Sequence, residues 1–136
     1  MDAKKPLIMV VDDDFDALEI LRQMLEAGGF HVLVFSDPTD ALEHMRTITP
    51  DLIISDLMMK FIDSGFSFSR LVSSDPRFRH VPIILVTSAV KKRGFMIQLQ
   101  EKGGLAKMGI SAYFDKPVDP GKLLATVREL LARPKE

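Results

Sequence analysis

The sequence contains no cysteine. That excludes disulfides, thiolate metal centres and cysteine nucleophiles together. Nor is there an excess of charge: 18 Lys+Arg against 19 Asp+Glu leave a formal net charge of −1. A broad electrostatic grip on nucleic acid is therefore not expected, and Lys91-Lys92-Arg93 reads as a solvated face. Long apolar runs are also missing; stretches such as Ile83 to Val86 are far too short to span a bilayer. Met1 to Pro6 is a polar lead-in without an apolar stretch of signal-peptide length. These absences make a cytoplasmic location without membrane contact the expectation. The histidines His31, His44 and His80 are scattered, with no metal-ligand spacing. There is no repeat, low-complexity tract or linker. What is present is 136 residues at 46% hydrophobic content, ordinary for a globular protein and enough for a real core. One domain spanning 1–136 is expected, with its core at about 6–133.

Apolar runs alternate with amphipathic stretches from end to end. Leu7 to Val11 predicts a strand, followed by Asp12-Asp13-Asp14. Phe15 to Ala27 predicts a helix with Leu18, Leu21, Met24 and Leu25 on one face, stopped by Gly28-Gly29. Phe30 to Phe35 predicts a second strand. Ser36-Asp37-Pro38 opens a second helix carrying Ala41, Leu42, Met45 and Ile48, which Pro50 ends. Leu52-Ile53-Ile54 predicts a third strand running into Ser55-Asp56. A loop, Met58 to Gly65, leads to a short helix over Phe66 to Ser74. Val81 to Val86 predicts a fourth strand ending at Thr87-Ser88. Val90 to Met108 is helical in composition but interrupted by Gly94, Gly103 and Gly104. Ser111 to Phe114 predicts a fifth strand, and a last helix follows Asp119-Pro120 with Leu123, Leu124, Val127, Leu130 and Leu131 at helical spacing. Five β-α units with continuous apolar strands indicate an α/β fold, a doubly wound five-stranded parallel sheet covered on both faces.

Ligands in such folds bind outside the carboxyl ends of the strands. Here those ends carry Asp12-Asp13, Asp56, Thr87 and Lys116. Three carboxylates in one cleft stay ionised only if a cation joins them. Oxygen ligands without His or Cys favour Mg²⁺. A lysine and a hydroxyl beside them suit phosphoryl transfer to a carboxylate. Each residue also has an ordinary reading. Asp14 is better read as the cap of the first helix; taken singly, Asp56 reads equally well as a turn residue, Thr87 as a β-branched strand residue and Lys116 as a surface charge. Convergence of all four positions on one sheet edge favours the site.

Val10-Val11-Asp12-Asp13, Ile53-Ile54-Ser55-Asp56-Leu57-Met58, Ile84-Leu85-Val86-Thr87-Ser88-Ala89 and Tyr113-Phe114-Asp115-Lys116-Pro117 resemble, in order, the signatures of receiver domains. Those are the phosphoacceptor modules of two-component response regulators. The resemblance covers essentially the whole chain. It implies a flavodoxin-like (βα)₅ sandwich and a phosphorylation-controlled switch rather than an enzyme, with self-phosphorylation from small phosphodonors. It makes Asp12 and Asp13 the acidic pair for Mg²⁺, Asp56 the phosphoacceptor, and the Met58 backbone carbonyl a further metal ligand. It makes Thr87 the hydroxyl that binds the phosphoryl oxygen, Lys116 the cation that pairs with it, and Tyr113 the aromatic switch residue. The Lys116-Pro117 bond is expected to be cis. The implied partners are a sensor histidine kinase or phosphotransfer protein and a downstream protein target, with a phosphorylation-dependent homodimer as a further outcome.

The chain departs from that pattern in places. Lys60 stands where the family commonly has proline, Phe61 to Gly65 is one residue longer, and Ser88 follows Thr87 where a smaller residue is usual. Lys91 to Gly104 holds several extra residues. The resemblance also implies that the side chains two residues after the phosphoaspartate and two after the threonine flank the path of a hydrolytic water; here these are Met58 and Ala89, with no polar group to position it, so slow loss of the phosphoryl group is expected. One competing reading is a haloacid-dehalogenase-like phosphatase with Asp12 as nucleophile and Asp14 as its acid. It leaves Asp56 without a role.

Overall fold

The computed structural model describes residues 5–56, 64–87 and 109–133. The strands are β1 (Leu7–Val11), β2 (His31–Phe35), β3 (Leu52–Asp56), β4 (Ile83–Thr87) and β5 (Ala112–Asp115). Among the described residues the helices are α1 (Phe15–Ala27), α2 (Pro38–His44), α3 (Ser64–Ser74) and α4 (Pro120–Ala132). All strand pairs are parallel, in the order β2-β1-β3-β4-β5.

Strand alternation explains the two cores. On β1, Ile8 and Val10 face one side; on β3 and β4, Ile54, Ile84 and Val86 join them against Leu18, Leu21 and Leu25 of α1 and Leu123, Val127 and Leu130 of α4. The odd-numbered Met9, Val11, Ile53 and Ile83 face the other side, packed with Ala41 of α2 and Phe68 and Val72 of α3. Both faces of the central strands are therefore dry, as their unbroken apolar sequences require. Burying each of these side chains is worth about 1.5–3 kcal/mol, which fixes the register, because a one-residue slip would exchange the two faces.

Two helix bounds differ from the sequence expectation. α2 ends at His44 rather than reaching Ile48, because the backbone tightens: Arg46 and Thr47 donate three residues back, to Glu43 and His44. The Thr47 hydroxyl also lies 3.4 Å from the His44 carbonyl. α3 begins at Ser64, two residues before the expected start. α1 stops where expected. Gly28 caps it, and Gly29 takes a φ of 95° that side chains avoid, returning the Phe30 N–H to the Leu25 carbonyl at 3.1 Å.

The strand order places the topological switch between β1 and β3, where successive connections leave in opposite directions. A crevice opens there beyond the carboxyl ends of the strands.

Candidate functional site

β1 and β3 are in register through Val11 and Ser55. One step further along, Asp12 and Asp56 stand side by side at the mouth of the crevice. Both are buried, Asp12 at 1% and Asp56 at 2% exposure. Asp13, exposed, completes the group: one carboxylate oxygen from each of Asp12, Asp13 and Asp56 lies within 4.8 Å of the others. The run of three aspartates thus divides its work. Asp14 turns away and caps α1, accepting from the N–H of Asp16 at 3.0 Å and of Ala17 at 3.4 Å. Asp12 Oδ1 accepts from the Asp14 N–H at 2.9 Å, which fixes the carboxylate at the end of the strand.

Lys116 follows β5 directly. Its Nζ donates to Asp12 Oδ2 at 2.8 Å and lies 3.8 Å from Asp56 Oδ2. Burial alone would push this ammonium down, but the hydrogen bond to Asp12 and the charges of Asp12, Asp56 and Asp14 outweigh it. The net effect raises its pKa above the ordinary lysine value, so Lys116 stays charged at neutral pH. Within this group one ammonium faces three carboxylates. At an effective dielectric near 20, two like charges about 4 Å apart repel by about 4 kcal/mol, so the cluster calls for a further cation. Oxygen-only donors in this number fit a hard divalent ion such as Mg²⁺.

The structure thus gathers Asp12, Asp13, Asp56 and Lys116 as expected. Thr87 closes β4 in register with Asp115, next to the strand that ends in Asp56. Tyr113 lies on β5 opposite Leu85, half-buried. The Lys116-Pro117 peptide is cis. Met58, Lys60, Ser88, Ala89 and the extension over Lys91 to Gly104 lie outside the described residues.

Sequence reasoning missed two features. Ser55, wholly buried, donates its hydroxyl to the Asp56 carbonyl at 2.9 Å, bracing the backbone that carries this carboxylate. A lone hydroxyl in the apolar run before Asp56 was the available signal. The second is a groove of about 370 Å³ between α1 and the turn after β5. Ile20, Leu21 and Met24 line one side, Pro117 and Val118 the other, and Asp14 and Lys116 join it to the carboxylates. Ile20 is 54% exposed there, and the neighbouring Phe15 is 73% exposed. Helical spacing marked α1 for its buried stripe and said nothing of this second, outward one.

Comparison with known proteins agrees with this geometry. The family profile described as response regulator receiver domain matches residues 8–128. Response regulator Rre1 of Synechocystis sp. is 35% identical over 127 residues, covering 93% of this chain and 52% of that protein. The DNA-binding response regulator MtrA of Mycobacterium tuberculosis is 33% identical over 133 residues, covering 98% and 54%. This chain spans about half the length of these curated relatives. Among solved structures, the signal receiver domain of a histidine kinase from Syntrophus aciditrophicus superposes with a TM-score of 0.80 at 27% identity, over 96% of this chain and 95% of that one. The phosphatase reading has no support: Asp14, its required acid, is the α1 cap, and none of these relatives is of that class. A parallel sheet with an acidic cluster and a lysine at its switch point, matched by a family profile over nearly its whole length, has one reading: the chain belongs to the response regulator receiver domain family of two-component signalling.

Proposed function

We propose that Asp56 is the phosphoacceptor of this receiver and that Asp12, Asp13, Thr87, Lys116 and Tyr113 serve it. A phosphoryl group passes from a phosphohistidine of a sensor kinase or phosphotransfer protein, or from a small acyl phosphate. The donor's bond to phosphorus breaks, the imidazole or carboxylate leaves, and an Asp56 carboxylate oxygen forms the new bond to phosphorus. Asp12, Asp13 and Asp56, together with the Met58 carbonyl, would hold Mg²⁺, which would neutralise the negative charge that meets there. Lys116, freed from Asp12, pairs with a phosphoryl oxygen, and Thr87 donates to another. Inward movement of Thr87 gives Tyr113 space to turn, which changes the surface presented to a downstream protein.

The observation that carries this reading is the packing of three carboxylates within 4.8 Å, with the Lys116 ammonium 2.8 Å from one and 3.8 Å from the acceptor. The groove along α1 adjoins that group and offers the donor protein an apolar landing beside Asp56. The chain acts as a switch rather than as an enzyme, its residues 1–136 hold one receiver domain, and its place of work is the cytoplasm. Family membership supports this. Incubation with acetyl phosphate and Mg²⁺, followed by mapping of the acid-stable, alkali-labile adduct, tests it. Label confined to Asp56 and lost on chelation is expected. Undiminished labelling of Asp56→Asn refutes the assignment.

A further inference from the structure

The opposite pole of the sheet carries a second cleft, of about 330 Å³. Along β3 it lies about 16 Å from Asp56, at 3.3 Å per residue. Asp51, Pro82 and Ser111, which precede β3, β4 and β5, open into it, and the end of α4 closes it. Arg79 and His80 enter from the turn before β4, and Arg133 from the residue after α4. All three are exposed.

Among the described residues the lining sets two arginines and a histidine against one carboxylate, Asp51. Arg77, nearby in sequence, has its own partner, Asp75, at 3.2 Å. Among the described residues Arg79 has no ion-pair partner, and Arg133 has only the solvent-facing Glu129 at 4.0 Å, a contact worth little. Asp51 is the carboxylate in the lining, and its Oδ2 is engaged by the Leu7 N–H at 2.7 Å. Two guanidinium groups and an imidazole reaching one space from different elements suit an acceptor with oxygens in several directions. A tetrahedral phosphate has that shape, whereas a planar carboxylate is satisfied by one guanidinium. Beside the cationic rim the partly exposed Pro82 and Leu131 form a small apolar wall, backed by the buried Val81, Ile110 and Leu130. That wall has no use for inorganic phosphate but would cover the organic body of an ester.

We propose that this cleft binds a small organic phosphate monoester, with the phosphate between Arg79 and Arg133 and the organic part against the apolar wall. The site is separate from the phosphoacceptor and does not depend on its reading.

The test is a backbone-amide NMR titration with AMP in EDTA. Without divalent metal the carboxylate cluster at the other pole repels anions. Inorganic phosphate and adenosine are the comparison probes. Saturable shifts are expected at residues 79–81, 109–111 and 130–133, with an AMP dissociation constant of about 1 mM or tighter and weaker binding of either half alone. Arg79→Gln with Arg133→Gln removes two charge-assisted contacts and should weaken AMP by at least about tenfold. Both residues are exposed, so an unchanged amide spectrum elsewhere verifies the fold. The proposal fails if AMP causes no saturable shift at the cleft up to about 10 mM. It also fails if the double variant binds AMP as the wild type does, or if inorganic phosphate binds as tightly as AMP.

Discussion

Lys116→Met isolates what the ammonium does before any phosphoryl group arrives. Methionine keeps an apolar stem of similar length beside Pro117 and removes only the charge. What remains is three carboxylates facing one another, two of them buried. Stranding a buried charge costs about 3–5 kcal/mol. Because the Lys116 side chain is 25% exposed while Asp12's is 1%, water offsets part of this, and about 2 kcal/mol is the better figure. For a chain of this size that lowers the Tm by about 6 °C in EDTA. Divalent metal reverses the comparison. In the wild type an incoming cation must draw Asp12 away from the ammonium; in the variant it need not. Mg²⁺ should therefore bind Lys116→Met several-fold more tightly, and the gap in Tm should narrow as Mg²⁺ is added, following the logarithm of its concentration over its dissociation constant. The pH dependence has a definite sign. The lysine pKa is raised in the folded state, so its stabilisation is complete below the unfolded value of about 10.4 and is lost as pH rises through the folded one. The gap in EDTA should be the same at about pH 7 and about pH 9. Thermal unfolding by circular dichroism, with and without Mg²⁺, reads all of this. Equal stability of the two proteins in EDTA, or weaker Mg²⁺ binding by the variant, refutes the reasoning.

Three further substitutions probe separate links. Ile20→Glu places a carboxylate in the apolar groove beside the site; it should slow phosphotransfer from a donor protein at least about tenfold, while the rate with acetyl phosphate stays unchanged. Asp14→Ala removes the α1 cap and should cost about 1 kcal/mol in urea denaturation without abolishing labelling of Asp56. Gly109→Ala combines a φ of 74° with a new Cβ at 2.3 Å from Ser73 Cβ. A loss of about 2–4 kcal/mol in the same assay is expected, and Ser73→Gly in the same chain should restore part of it.

Most of the architecture was legible because it rests on one-dimensional patterns. Continuous apolar strands and periodic helices specify a two-faced parallel sheet, and every strand appeared in its expected place. The meeting of Asp12 and Asp56 follows from the same source: each comes one step after an apolar run, and parallel register then sets them abreast. Asp14 as the cap rather than a ligand was equally readable, since its N–H and side chain stand at the first turn of α1. Where the second helix stops was not readable. Met45 and Ile48 keep the apolar spacing, but the backbone turns to shorter hydrogen bonds after His44, and a periodic pattern does not report that change.

The pairing of Lys116 with Asp12 belongs to a different class of information. Sequence supplied the lysine and the resemblance supplied its partner, a phosphoryl oxygen; neither indicated where the ammonium rests beforehand. In the structure it bonds Asp12 at 2.8 Å and stands off Asp56 at 3.8 Å. The choice has a physical cause. Asp12 is fixed by the Asp14 N–H at its other oxygen and offers a stationary acceptor, so the ammonium settles where the geometry is already paid for. That leaves it one short movement from the Asp56 carboxylate. On the function proposed above, the same lysine holds the acidic cluster together in the resting state and pairs with the phosphoryl group after transfer. Such dual use cannot be read from the chain, because it depends on the difference between two distances around one nitrogen.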